Sequence, residues 1–463
     1  MFANNHQVLG VKVKELLNDT AARASEYLAS LDGRRVAPDP GQIARLQALA
    51  SAFQEEPCSP MSVLALLDDY GSPATVASAG GRYFGFVTGG TLPAALAANW
   101  LAGAWDQNAG LWIQSPVAAF LEDVTAGWLR DVFRLPSSCG VGFVTGATMA
   151  NFSCLAAARH ALLQRSGWNA EEQGLFGAPE IRVIVGNEVH ASVLKALSLV
   201  GLGRNRVIKV PADVQGRMRA DALPPLNNRT LVCIQAGNVN TGAFDPAKEI
   251  CLRAQERGAW VHVDGAFGLW AVAAPQREHL LDGVTKADSW ATDCHKWLNV
   301  PYDSGLAFVR EADHLRNAMA LSGAYLQFSD QRDGTQYTPE ASRRARGSEI
   351  WAALKSLGRR GLAEMIERNC RLAERFALGL RHAGYSIMNE VVLNQVLVSF
   401  GDAAITRRII ADVQSDGSCW CGGTEWQGHT AMRISVSNWA TTEADVDHSL
   451  AAILRIAKAA QTR

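Results

Sequence analysis

Three groups of residues in this chain combine type and position in ways that suggest chemistry. The first is Gly146-Ala147-Thr148, in GFVTGATMANFSCLAAAR, where an apolar run stops and an Ala-rich helical pattern starts at once. Backbone N–H groups at such a helix start, with the Thr148 hydroxyl beside them, make an anion cradle. A tight turn uses the same residues for capping, so the run alone is weak. It fits neither the Gly-Lys-Ser/Thr phosphate loop nor the dinucleotide Gly-x-Gly-x-x-Gly pattern. The second is Asp264, which closes the apolar run WVHVD at the strand edge where α/β sheets bind ligands. A buried carboxylate needs a cation or hydrogen-bond donors, whereas a turn or capping aspartate needs neither. The third is Lys296, in DCHKW, straight after the apolar run SWATD. Lysine is among the residues least often buried, so this amine either reaches water or is held inside for chemistry.

A phosphate-type turn, a carboxylate ending one strand and a lysine ending another roughly thirty residues later form one constellation. Pyridoxal 5′-phosphate needs these three parts: an anion site, an acid that keeps its ring nitrogen protonated, and a lysine for the Schiff base.

The elements that must position them are legible from about Gly80 onward. Short β-branched runs at 140–146, 182–186, 206–211, 231–237, 260–265, 289–293 and 305–310 end in turn residues and alternate with helical patterns. That alternation predicts an α/β fold with a mostly parallel seven-stranded sheet covered on both faces. Residues 1–75 read as an N-terminal helical segment, in which DPGQIARLQALASAFQ is an amphipathic helix. Residues 76–345 form the large cofactor-binding domain. Residues 346–463 begin with a long helical stretch and form a small C-terminal α+β domain. The polar segment 326–344 reads as a mobile loop that closes over the site.

Bulk composition excludes several classes of partner. Lys+Arg number 44 and Asp+Glu 45, so no basic excess points to nucleic acid or an anionic membrane. No signal peptide or membrane span is evident, and nine scattered cysteines read as reduced thiols of a cytoplasmic protein. Cys419, Cys421 and His429 lack the spacing of a zinc site, and no metal is expected.

The runs VTGATMANFSCLAAAR, HVDGAFG and DCHKW resemble the group II pyridoxal-phosphate-dependent decarboxylases, which include aromatic-amino-acid, glutamate and diaminobutyrate decarboxylases. The resemblance extends from about Arg82 to the C-terminus. It implies the fold type I architecture and a homodimer with active sites at the interface. It also implies decarboxylation of an L-amino acid to the amine and CO2. By the same resemblance Lys296 is the Schiff-base lysine, Asp264 the partner of the ring nitrogen, Ala266 the packing on one ring face and His190 the stack on the other. Gly146, Ala147 and Thr148 match the phosphate loop, with His295 approaching the phosphate and Asn238 standing near the cofactor. Family members carry a loop tyrosine that protonates the reaction's carbanion, and Tyr337 is the tyrosine this loop offers. Phe84, Phe86, Trp105 and Trp112 supply aromatic surface on the substrate side and favour an aromatic amino acid. Rival reactions on the same scaffold are transamination, aldehyde-forming oxidative decarboxylation and carbon–carbon lysis; a non-catalytic binding protein is the rival from another class. A desolvated Lys296 beside His295 is expected to have a lowered pKa.

Overall fold

The computed structural model describes residues 12–321, 323, 328 and 330–461. Its centre is a seven-stranded sheet in the order β1-β7-β6-β5-β4-β2-β3. The strands are β1 (Gly140–Val144), β2 (Arg182–Gly186), β3 (Ile208–Val210), β4 (Thr230–Gln235), β5 (Trp260–Asp264), β6 (Ser289–Asp293) and β7 (Gly305–Val309). All neighbours are parallel except β7, which runs antiparallel to both β1 and β6. Among the described residues β1 is an edge strand whose one ladder is with β7. The mostly parallel sheet expected from the sequence is present. The third run contracts most, from 206–211 to Ile208–Val210, because it lies at the other edge and Pro211 cannot donate to a ladder.

The strands read as unbroken apolar runs because both faces are buried. Side chains alternate between two cores: Ile184, Val232, Val263 and Phe308 enter one, while Val185, Cys233, Ala291 and Val309 enter the other. The first core is closed by α4 (Pro93–Trp105), α5 (Pro116–Val132), α9 (Ala247–Glu256) and α11 (Gly347–His382). The second is closed by α6 (Ala147–Gln164), α8 (Ala191–Leu199) and α10 (Ala312–Met319), with the short α7 (Ala170–Gln173) beside α6.

The C-terminal sheet, of order β10-β11-β9-β8, is antiparallel. It comprises β8 (Ser386–Ile387), β9 (Gln395–Ser399), β10 (Gly422–Trp426) and β11 (His429–Ser435). Its core includes side chains of α11, α12 (Ala403–Asp416) and α13 (Glu443–Gln461). Gly358 breaks α11 with a φ of 59°, a left-handed conformation that costs glycine little. At the other end, α1 (Val13–Ser30), α2 (Pro40–Arg45) and α3 (Pro60–Ala74) bury none of their described residues. The amphipathic helix expected over 39–54 stops as α2 followed by a 3₁₀ turn at Leu46–Leu49. Asp39 and Gln42 do form a capping box at its start. Ile43 and Leu46 remain exposed, and a short helix without packing is marginal in water.

The segment expected to be a mobile loop is fastened over the part that is described; residues 326, 327 and 329 lie outside the described residues. Arg343 is buried, ion-paired to the buried Glu122 at 2.8 Å, and donates to the carbonyls of Ala109 and Phe143. Arg332 also pairs with Glu122, at 3.1 Å. The expectation of a lid over the whole of 326–344 is therefore corrected for residues 330–344, which these arginines clamp to β1 and α5. Among the described residues no helix is long and apolar enough to cross a membrane.

Candidate active site

The carboxyl ends of β1, β4, β5 and β6, with the N-termini of α6 and α8, surround a cavity of about 340 Å³. Parallel strands put their carboxyl ends and the following helix N-termini on one edge, so the sheet's topology creates this gathering. Of the residues singled out above, Gly146, Ala147, Thr148, His190, Asp264, Ala266, His295 and Lys296 all line the cavity.

Lys296 follows β6 by three residues, and its side chain is mostly buried, 19 % exposed. Its Nζ lies 2.8 Å from Asp293 Oδ2. Burial pulls the ammonium down, but the Asp293 carboxylate, with Asp264 behind it, more than offsets that, so the Lys296 pKa stands above the ordinary lysine value. This corrects the expected lowered pKa. The residue that reverses it, Asp293, was not singled out in the sequence. Its signal was there: an aspartate ending an apolar strand, as in WVHVD.

Asp293 also accepts the Ala147 N–H at the start of α6 and stands 3.5 Å from His295 Nε2. His295 Nδ1 accepts the Ser304 N–H at 3.1 Å, which leaves its proton on Nε2, facing the carboxylate. The ring stacks on Tyr302 at 4.3 Å between centroids. Burial lowers the His295 pKa, so the neutral ring is favoured. His190 caps α8, its Nδ1 accepting the Ser192 N–H at 3.2 Å. Burial lowers its pKa as well, although Asp264 opposes the shift. Asp264 accepts from the Ala266 N–H at 3.2 Å and from Asn151 Nδ2 at 3.4 Å.

The cradle at α6 is open because residue 146 has no side chain. A Cβ there would stand 3.0 Å from His295 Cε1 and 3.1 Å from Asp293 Oδ1, and Gly305 packs directly against its backbone. Helix N–H groups beyond Ala147 and the Thr148 hydroxyl line the place where an anion fits, with the Ala147 N–H and His295 Nε2–H turned to Asp293 beside it. With the lysine and carboxylate of the same cavity, the donor set fits pyridoxal 5′-phosphate.

Three expectations are not met by the cavity of a single chain. Asn238 lies between the lining residues Gly237 and Val239 but does not line the cavity itself. Its Oδ1 accepts from the Asn240 and Thr241 N–H groups, which turns the side chain back into its own loop. Tyr337 is not brought to the cavity of its own chain: its ring lies 4.3 Å from the Arg332 guanidinium, which is pinned behind β1. Phe84 is core rather than substrate wall, packed edge-on against Phe376. Phe86 is exposed, whereas Trp105 and Trp112 do not line the cavity. Sequence reading missed Trp420, which stacks on Tyr83 at 5.1 Å and on Phe86 at 5.4 Å. Nothing in its local sequence connects it to residues more than three hundred positions earlier.

The family model described as the pyridoxal-dependent decarboxylase conserved domain matches residues 52–401. Among curated relatives, an aromatic-L-amino-acid decarboxylase of Bacillus atrophaeus is 25 % identical over 384 residues, 78 % of each chain. The aromatic-L-amino-acid decarboxylase of Cavia porcellus is 30 % identical over 400 residues, covering 80 % of this chain and 82 % of its own. Among solved structures, Oryza sativa TDC with PLP and tryptamine superposes with a TM-score of 0.89 at 22 % identity, covering 99 % of both chains.

Proposed function

The chain belongs to the pyridoxal-dependent decarboxylase family, a carboxy-lyase acting on an amino acid, and from that premise we propose that its substrate is an aromatic L-amino acid, released as the amine and CO2. The observation behind the chemistry is that Lys296, Asp264 and His190 share one cavity with the cradle of Gly146, Ala147 and Thr148. When bound, pyridoxal phosphate supplies an electron sink for the pair left as the Cα–carboxylate bond breaks.

Each residue then has a role that its surroundings support. The α6 N–H groups beyond Ala147 and the Thr148 hydroxyl would hold the phosphate, with His295 beside them. Asp264 would accept a hydrogen bond from the protonated ring nitrogen and so keep the sink electron-poor. Ala266 and His190, both lining the cavity, would pack on the two ring faces. Lys296 must shed a proton before it can act as a nucleophile, and Asp293 Oδ2 at 2.8 Å is the acceptor in reach.

For the substrate, Phe267 in the cavity lining and Tyr302 stacked on the lining residue His295 favour a planar side chain. The names of the two curated relatives point the same way. The test is to incubate the holoenzyme with a panel of L-amino acids and to measure CO2, amine, aldehyde and 2-oxo acid. Amine and CO2 from tryptophan, tyrosine or phenylalanine are expected. Faster turnover of glutamate or diaminobutyrate would overturn the substrate class, and aldehyde or 2-oxo acid would overturn the outcome. A second copy of the chain is part of this reading, covering the exposed Leu66, Leu67, Trp100, Leu101 and Trp105.

A further inference from the structure

Behind Asp264 runs a buried chain of hydrogen bonds. Alternation along β5 puts Trp260, His262 and Asp264 on one face, the face that α6 covers. Asn151 of α6 donates from Nδ2 to Asp264 Oδ2 at 3.4 Å, and its Oδ1 lies 2.8 Å from His262 Nε2. His262 Nδ1 lies 2.9 Å from Ser289 Oγ, which accepts the Trp260 Nε1–H at 3.0 Å. Asn151, His262 and Ser289 are fully buried, and Trp260 and Asp264 nearly so.

The carboxylate end, with His262 neutral, fixes the direction of every bond in the chain. An indole N–H can only donate, and a carboxylate can only accept. Ser289 therefore gives its hydroxyl proton to His262 Nδ1, and His262 carries its own proton on Nε2 and gives it to Asn151 Oδ1. The Asn151 amide N–H is left to donate to Asp264. A branch leaves the same amide: Asn151 Nδ2 lies 3.3 Å from Ser192 Oγ, which lies 2.8 Å from His190 Nδ1. Burial keeps His262 neutral, its pKa pulled down to about 3, so one tautomer fits.

We propose that Asn151, His262, Ser289 and Trp260 are positioning residues, a one-way hydrogen-bond chain whose donors all point at Asp264 and set how strongly that carboxylate binds the cofactor's ring nitrogen. The proposal rests on the reading of Asp264 given above. Aligned donors polarise one another, so loss of a distant member weakens the last bond as well as its own. The branch sets His190 from the same amide, coupling the two groups.

The first test uses wild-type protein without cofactor and nuclear magnetic resonance of its histidine nitrogens. His262 is expected as the Nε2–H tautomer with no titration between about pH 5 and 8. An Nδ1–H tautomer, or an imidazolium in that range, overturns the chain. The second test compares holoenzyme variants. His262→Gln keeps a donor toward Asn151 and an acceptor toward Ser289, whereas His262→Leu keeps neither. His262→Leu is expected to lower kcat roughly tenfold or more, with KM little changed, and to move the pH at which the bound cofactor's absorbance changes. His262→Gln is expected to recover most of both effects. Equal impairment in Leu and Gln reduces His262 to a packing residue and overturns the proposal. If His262→Leu fails to fold, Trp260→Phe removes the first donor alone and is expected to shift the same absorbance titration by a smaller amount; no shift overturns the chain. Asp264→Asn separates the two levels. Near-wild-type activity in that variant overturns the reading of Asp264 itself, and a crippled Asp264→Asn beside an unaffected His262→Leu overturns the chain alone.

Discussion

A single carboxylate, Asp293, decides the character of the lysine beside it. Burial alone would have made Lys296 a weaker base, and the ion pair at 2.8 Å makes it a stronger one. Asp293→Asn removes the nearer charge and leaves burial opposed mainly by Asp264, so the Lys296 pKa is expected to fall. The measurement is the rate of pyridoxal phosphate uptake by cofactor-free protein against pH, whose rise should move to lower pH in the variant. An unchanged profile would show that Asp293 does not govern the amine. Lys296→Ala is expected to abolish turnover while cofactor still binds through the cradle, which equilibrium dialysis would detect. Asp264→Asn should slow decarboxylation by roughly 10²–10³-fold with occupancy little changed, as loss of a preorganised charge partner commonly does. At this scale the sequence was informative wherever a motif and a strand end coincided, as at Asp264 and Lys296. Asp293 carried the same strand-end signal as Asp264, but its relation to Lys296 depends on how the chain turns after β6. It misled on Asn238, whose turn hydrogen bonds no spacing foretells.

Elements were read well where both faces of a strand are buried, because burial on both sides forces an unbroken apolar run that stands out between turn residues. They were read poorly where burial comes from distant parts of the chain. Residues 330–344 are polar and look like a free loop, yet Arg332 and Arg343 are consumed by Glu122 and by carbonyls of β1. Their pairing partner lies more than two hundred positions earlier, beyond the reach of local pattern. Arg343→Ala leaves Glu122 buried with one cation fewer and is expected to cost roughly 3–5 kcal/mol of stability, measurable by chemical denaturation. Trypsin should likewise spare Arg343 and Arg346 in the native enzyme, since both are buried. Rapid cleavage there would contradict the clamp. The break at Gly358 was equally hidden, because a lone glycine does not interrupt a helical pattern.

Across the whole molecule, buried histidines set the response to acid. His190, His262, His295 and His314 all have pKa values lowered by burial. Each binds a proton more readily once unfolded, so stability should rise with pH through the window from about 3, the folded value of His262, to the ordinary 6.5. Asp245, whose carboxyl burial pushes up to about 6, acts in the opposite sense, as do Asp288 and Glu349, which burial also raises. These three stand against four histidines, and the lowered carboxyls of Glu171, Asp213 and Asp416 act with the histidines at the acid end. Melting temperatures taken across this range should fall as the pH drops, and a flat profile would contradict the neutral histidines. The exposed apolar face near α3 and α4 gives a second expectation at this scale: light scattering should report a dimer, and Leu67→Glu with Trp100→Glu should shift it toward monomer.

The place of β1 at the sheet's edge has a consequence in time. Its one ladder is with β7, and 161 residues separate Val144 from Gly305. At a synthesis rate of roughly 5–20 residues per second, that interval is about 8 to 32 s. Throughout it the strand GVGFV has left the ribosome without its neighbour, and Gly146 has nothing packed against it. The anion cradle is thus complete only once Gly305 has been made, and a nascent chain interrupted between Lys296 and Gly305 would carry the lysine with Gly146 still unpacked.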